Sequence, residues 1–390
     1  MNLLLPLSFF SLTFFSFSCV EKKCETDPNT GSCITLTSTA GIPEEEPTED
    51  RSAINGQQSY SMDLPDIRDG MDILVVGSNI LFAGGSNPTS DRFDILDMNT
   101  KEWTALTLPQ KRYGIRGAVL NNVALFAGGA WNDNSSHIVD DVDIYDCSVS
   151  PCVQSLSHAL VPVRHSGASV TLGTKAIFAG GWEASAVSDD VSIYEAGAWA
   201  HSAGLSVARG AIAATVVEDR ALFAGGTSYD VQTLYNTVDI YNCSTDPCAW
   251  STATLSQARM FMGATTVGKK ALFAGGQTTN VNTSRTNRVD IYDCTTACAW
   301  STATLPSASG VMIGRTVGTK AIFVDEKGNT DIYDLEKDTW YVAPGRPRIS
   351  YKPSAFVYGT KLFVGAGFGD NGLIDVFDTA TDTWSEDLVE

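Results

Sequence analysis

From residue 60 onward the chain is written in short apolar runs separated by turn residues, and within many runs polar and apolar positions alternate with a period of two, the pattern of strands. One phrase recurs through these runs. Ala124-Leu125-Phe126-Ala127-Gly128-Gly129 is followed, after a variable gap, by Val142-Asp143-Ile144-Tyr145-Asp146. The same pair of segments returns as Ala176 to Gly181 with Val191 to Glu195, Ala221 to Gly226 with Val238 to Asn242, and Ala271 to Gly276 with Val289 to Asp293. Each unit predicts four strands. An apolar first strand such as 167 to 172 turns at Gly173-Thr174-Lys175 into a second that ends on Gly-Gly, where positive φ and close backbone approach are open to the chain. A variable loop leads to the third strand, and a turn opens the fourth, marked by Trp103, Trp199, Trp250, Trp300, Trp340 and Trp384, with Gln154 in the second unit.

Registered on the Phe before the glycines, the units sit at Phe82, Phe126, Phe178, Phe223, Phe273, Phe323 and Phe363, with spacings of 44, 52, 45, 50, 50 and 40 residues. That is the period of a four-stranded propeller blade. The combination of Gly-Gly, Tyr and Trp over residues 59 to 390 resembles the kelch repeat family. The resemblance implies an all-β, seven-bladed kelch-like β-propeller of four-stranded antiparallel blades. Departures are Phe323-Val324-Asp325, which lacks both glycines, Gly365-Ala366-Gly367, and Leu96 and Phe377 where Tyr is usual. Ring closure has two candidate fourth strands, because Tyr60 to Pro65 matches the pattern of Trp300 to Pro306 while Asp382-Thr383-Trp384 repeats Asp338-Thr339-Trp340. The second match favours Trp384 as the strand that completes the last blade; the alternative is an N-terminal segment that clasps it.

Ahead of the repeats, residues 1 to 18 are apolar and rich in Phe and Ser, and they run into Cys19. The length and place fit the apolar region of an export signal. Ser18-Cys19 resembles the junction of a bacterial lipoprotein signal, which implies a lipid on Cys19, although Ser16 stands where Leu is usual and no Lys or Arg precedes the run. Ordinary cleaved secretion and a retained anchor are the alternatives. Residues 19 to 58 turn to Thr, Ser, Pro and acid, a composition that reads as a flexible tether. The expected location is outside the cytoplasm, lipid-anchored to the outer membrane or cell surface, or else secreted or periplasmic.

Composition narrows the partners. Lys and Arg total 26 against 45 Asp and Glu, a net charge of −19, which argues against nucleic acid and favours a soluble, self-repelling monomer. Cys24 with Cys33, Cys147 with Cys152, Cys243 with Cys248, and Cys294 with Cys298 form four local couples. The last three occupy one place, the turn between third and fourth strands. With only four His in the chain, local disulfides in an oxidising compartment are favoured over metal sites, each adding little to stability because its loop is short. No metal and no cofactor is expected.

Two sets of residues are candidates for binding. Arg68, Arg112, Arg164, Arg209, Arg259 and Arg348 recur in the links between blades, with Ser309 at the seventh place. If those links lie with the variable loops at one face, as the resemblance implies, the guanidinium groups either join blades or meet an anionic ligand at the channel mouth. The longest loops carry Trp131, Trp182, Tyr229 and Tyr235, which serve either as a contact surface for protein or glycan or as partly buried loop anchors. No catalytic grouping stands out, and the Gly-Gly pairs precede no helix that would make them phosphate cradles. The expected function is a non-enzymatic binding module. The alternative is a carbohydrate-active enzyme, since some kelch-like propellers act on sugars as sialic-acid isomerases do.

Overall fold

A computed structural model of the chain describes residues 62–86, 88–131, 137–159, 164–281, 284–310, 312–350, 353–365, 367 and 372–389, with the short strands Glu25–Thr26, Cys33–Ile34 and Ser59–Tyr60. Residues 1–51 and 52–390 form separate compact units. In the first, Glu25–Thr26 pairs antiparallel with Cys33–Ile34, which sets Thr26 opposite Cys33. Cys19 and Cys24, and with them the lipid attachment and the first cysteine couple, lie outside the described residues.

The second unit is a seven-bladed β-propeller. Seven sheets each hold four strands in chain order, every neighbouring pair antiparallel. Blade one begins at Asp72–Val76, and blades two to seven begin at Arg116–Leu120, Ala168–Leu172, Ala213–Val217, Gly263–Val267, Met312–Val317 and Ser354–Tyr358. These first strands neighbour one another around the whole ring, blade seven touching blade one.

Packing explains why the second strands are almost wholly apolar. In Arg220–Ala224 the side chains of Phe223 and Leu222 point to opposite faces, Phe223 into the layer shared with blade three and Leu222 into the layer shared with blade five. A strand buried on both faces has no polar side to show. Seven apolar clusters result, one at each junction between neighbouring blades. Fourth strands lie at the outer edge and alternate accordingly, as in Ala249–Thr254, where only Trp250 and Ala253 turn partly inward. Trp250 meets Tyr241 at 4.8 Å between ring centroids, and Trp300, Trp340 and Trp384 meet Tyr292, Tyr333 and Phe377 in the same way.

Both candidates for ring closure are used. Thr383–Ser385 pairs with Ile374–Asp378 as the fourth strand of blade seven, while Ser59–Tyr60 pairs with Leu388–Val389 just beyond it. Met62, Leu64 and Leu388 are buried in the layer between blades seven and one, and the Leu64 amide donates to Gly372 O at 3.1 Å. The two ends of the propeller are thus fastened to each other across its last junction.

Candidate functional site

The links between blades and the loops between second and third strands share one face of the propeller. Isolated bridges join Asp69 to Ser86, Tyr113 to Ala130, His165 to Trp182, Gly210 to Thr227 and Met260 to Gln277, each tying a link to the loop that follows Gly-Gly in its own blade. The second glycine then reaches the next blade: the amides of Gly85, Gly129, Gly181 and Gly226 donate to the carbonyls of Arg112, Arg164, Arg209 and Arg259 at 3.0 to 3.2 Å. The first glycine leaves room for this contact. At Gly225, with φ +63°, a Cβ would stand 2.5 Å from Arg259 O.

Each of these arginines turns back into its own blade. Arg209 is fully buried; its Nε donates to Gly225 O at 2.8 Å, its Nη2 to Phe223 O at 3.0 Å, and Nη2 pairs with Asp239 at 2.7 Å. Arg68 with Asp94, Arg112 with Asp143 and Arg259 with Asp290 repeat the arrangement. In blade three Ser192 holds the Asp position, and Arg164 bonds both Ser192 Oγ at 2.9 Å and Asp190 at 2.6 Å. Burial pulls Arg68, Arg164 and Arg209 below the ordinary arginine range and Arg259 to about 10, against the pull of the paired carboxylates. Burial likewise pushes the Asp143 carboxyl up. These contacts join the five arginines to their own blades. Arg348, half-buried, pairs with Asp375 at 2.6 Å and with Glu386 at 3.1 Å.

The arginine that occupies the repeated seat in blade seven is Arg346, buried and 2.6 Å from Asp375, and sequence reading missed it by two residues. It also missed the partner set, the Asp inside Val-Asp-Ile-Tyr. That Asp stands between two apolar residues on a strand buried on both faces, a place where a charge needs a counter-ion, and this was the available signal. Blade six has no seat arginine, and Ser307 Oγ donates to Asp331 instead.

The rim itself is built from the variable loops of blades two to four. Trp131, half-buried, lies 4.6 Å from the His137 ring, and Lys111 Nζ sits 5.6 Å above it. Trp182, also half-buried, covers Gly210, where a Cβ would fall 2.6 Å from its ring, and lies near His165. Burial, with the Arg116 charge, lowers His165 to about 4, so this imidazole is neutral at pH 7. Tyr235 is half-buried, whereas Tyr229 is 49% exposed with its hydroxyl on Ala184 O at 3.3 Å. Trp131, Trp182 and Tyr235 are therefore partly buried in the loops, and Tyr229 is exposed to solvent with its hydroxyl bonded to the neighbouring loop. Of the exposed large apolar side chains, Ile67, Tyr229, Val281 and Ile349 all belong to links and loops of this face.

At the outer edge, Cys147–Cys152, Cys243–Cys248 and Cys294–Cys298 are disulfides that close the hairpins between third and fourth strands, with Cα atoms 4.2, 4.2 and 3.9 Å apart. Three such bonds fit an oxidising, extracytoplasmic environment. Among the described residues no group of His, Cys, Asp and Glu has the arrangement of a metal site, and no helix is long and apolar enough to cross a membrane.

No protein-family model matches the chain, and no curated protein matches it in sequence. Among solved structures, the one titled "Structure of YjhT" superposes with a TM-score of 0.54 at 12% identity, over 85% of this chain and 99% of that one. At that identity the likeness shows the fold: the chain is a seven-bladed β-propeller.

Proposed function

We propose that the protein is a non-enzymatic binding module of kelch-like type, exported and tethered through a lipid on Cys19, that recognises a protein or glycan with the face bearing the blade links and the variable loops. The observation that carries this reading is that four of the seven exposed large apolar side chains among the described residues, Ile67, Tyr229, Val281 and Ile349, lie on links and loops of that face, exposed by 49 to 66%. Large apolar side chains presented on the loops of a rigid frame mark interaction surfaces. Trp131 and Trp182 add flat ring faces beside them, suited to sugar as well as to protein. The outer disulfides hold the opposite, edge side of the blades and leave this face to vary.

The test is photo-crosslinking in the full chain, with a photoreactive residue at position 229 on the rim or at position 342 on the outer edge of blade six, combined with a glycan array. Capture of one discrete partner from position 229 alone, or array binding lost in Trp131→Ala, supports the reading. Equal capture from both positions together with an empty array overturns it. Metabolic labelling with a fatty acid, lost in Cys19→Ser, tests the anchor.

A further inference from the structure

The closed ring encloses a central channel of about 310 Å³. Much of its wall is backbone and small side chains, including Gly167, Ala214, Gly263 and Ala355. Three ionisable groups interrupt it: Asp72 from blade one, Arg116 from blade two and Arg315 from blade six. Two cations face one carboxylate, a local positive charge in a chain of net charge −19.

These groups are arranged unlike the seat arginines. Arg116 Nε donates to Gly167 O at 2.6 Å and Nη1 to Ile115 O at 2.8 Å, which leaves Nη2 without an acceptor among the described residues. Arg315 Nε and Nη2 share the single carbonyl of Ala355 at 3.2 and 3.0 Å, and Nη1 donates to Gly314 O at 2.9 Å. Among the described residues neither guanidinium forms an ion pair with Asp72, while each seat arginine from Arg68 to Arg259 has a carboxylate in contact. Asp72 Oδ2 is buried against Gly117, 2.7 Å from where a Cβ there would lie, and the carboxyl takes support from the Gly117 and Ile73 amides. Burial pushes the Asp72 carboxyl up, against the Arg116 and Arg315 charges and the Gly117 and Ile73 amides, and pushes both guanidinium groups down, against the Asp72 charge.

A molecule that supplied a carboxylate to the arginines and a hydroxyl to Asp72 would satisfy all three at once. We propose that the central channel is a binding site for a small hydroxycarboxylate, its carboxylate held by Arg116 and Arg315 and its hydroxyl donated to the Asp72 carboxylate. The site is separate from the rim and does not depend on the rim's role.

Titration calorimetry on the full chain with lactate, acetate and inorganic phosphate tests this at constant ionic strength. Lactate is expected to bind more tightly than acetate, and Arg116→Gln or Arg315→Gln to weaken lactate at least about tenfold. Asp72→Ala carries a prediction of opposite sign, so a variant arginine that fails to fold leaves the test intact. Loss of the negative charge should tighten acetate severalfold while the preference for lactate disappears. A purely structural trio predicts loss of stability in all three variants and no anion dependence. No binding of either carboxylate up to about 100 mM, lactate affinity unchanged in both arginine variants, or phosphate bound as well as lactate and insensitive to them would overturn the assignment.

Discussion

Blades four and six solve the same joining problem with different residues. Blade four ends its second strand on Gly225-Gly226, seats Arg209 on Asp239, and sends out a loop that carries Tyr229. Blade six runs Val324-Asp325 into a tight turn in which Asp325 Oδ1 accepts from the amides of Lys327 and Asn329 at 2.9 and 2.8 Å. Its contact with the next blade is carried by Gly328, at φ +82°, whose carbonyl accepts the Arg346 amide at 2.8 Å. The glycines of the repeat are thus needed where the chain presses on the following blade, and they move when the loop shortens. What blade six gives up is the loop on the rim. Joining and recognition are separable, and a blade can keep the first without the second.

Four changes would break or sharpen that contrast. Arg209→Met should leave Asp239 as an unpaired buried carboxylate and cost roughly 3 to 5 kcal/mol, whereas Ser307→Ala, which removes the corresponding partner of Asp331 in blade six, should cost about 1 kcal/mol; chemical denaturation reads both, and equal losses would mean that the arginine seat is dispensable. Gly225→Ala forces a left-handed backbone and a Cβ against Arg259 O, for a loss of roughly 2 to 4 kcal/mol. Gly328→Ala, whose Cβ would stand farther off at 2.9 Å from Arg346 O, should lose less.

His165 provides a pH test. Its folded value is about 4 and its unfolded value about 6.5, so below pH 6.5 the unfolded chain binds the proton first and stability falls until the pH reaches about 4. From pH 7 to pH 5 the wild type should lose about 2 kcal/mol more than His165→Gln, measured by denaturation at the two pH values; parallel curves would remove His165 from the blade two and three junction. A modest effect is expected from Cys243→Ser with Cys248→Ser, at most about 2 kcal/mol for so short a loop, with rim binding unaltered.

Much of the architecture was legible because it repeats. Seven Phe positions, the strands around them and three cysteine couples could be read without coordinates, since each copy checks the others. The meaning of the repeated arginine could not. Arg259 and Asp290 are 31 residues apart, and a periodic arginine at a link looks the same whether it faces inward to a carboxylate or outward to a ligand. In blade seven, Pro344-Gly345-Arg346-Pro347-Arg348 offered two arginines and only packing selects Arg346. Ring closure stayed open between two readings, Trp384 and an N-terminal clasp, because two segments matched one strand pattern, and the fold found a place for both. Asp72, Arg116 and Arg315 were not legible as a set, because Asp72 and Arg116 share one register position with opposite charge while Arg315 stands at another, inside Met312–Val317.

The division between frame and rim is tested most directly by one paired measurement, partner capture and thermal midpoint on the same two proteins. A rim variant, Ile67→Asp with Tyr229→Ala and Trp131→Ala, should abolish capture while its midpoint stays within about 4 °C of wild type. The frame variant Arg209→Met should show the reverse, a large drop in midpoint with capture intact at temperatures where it remains folded. Capture that survives in the rim variant would contradict the account.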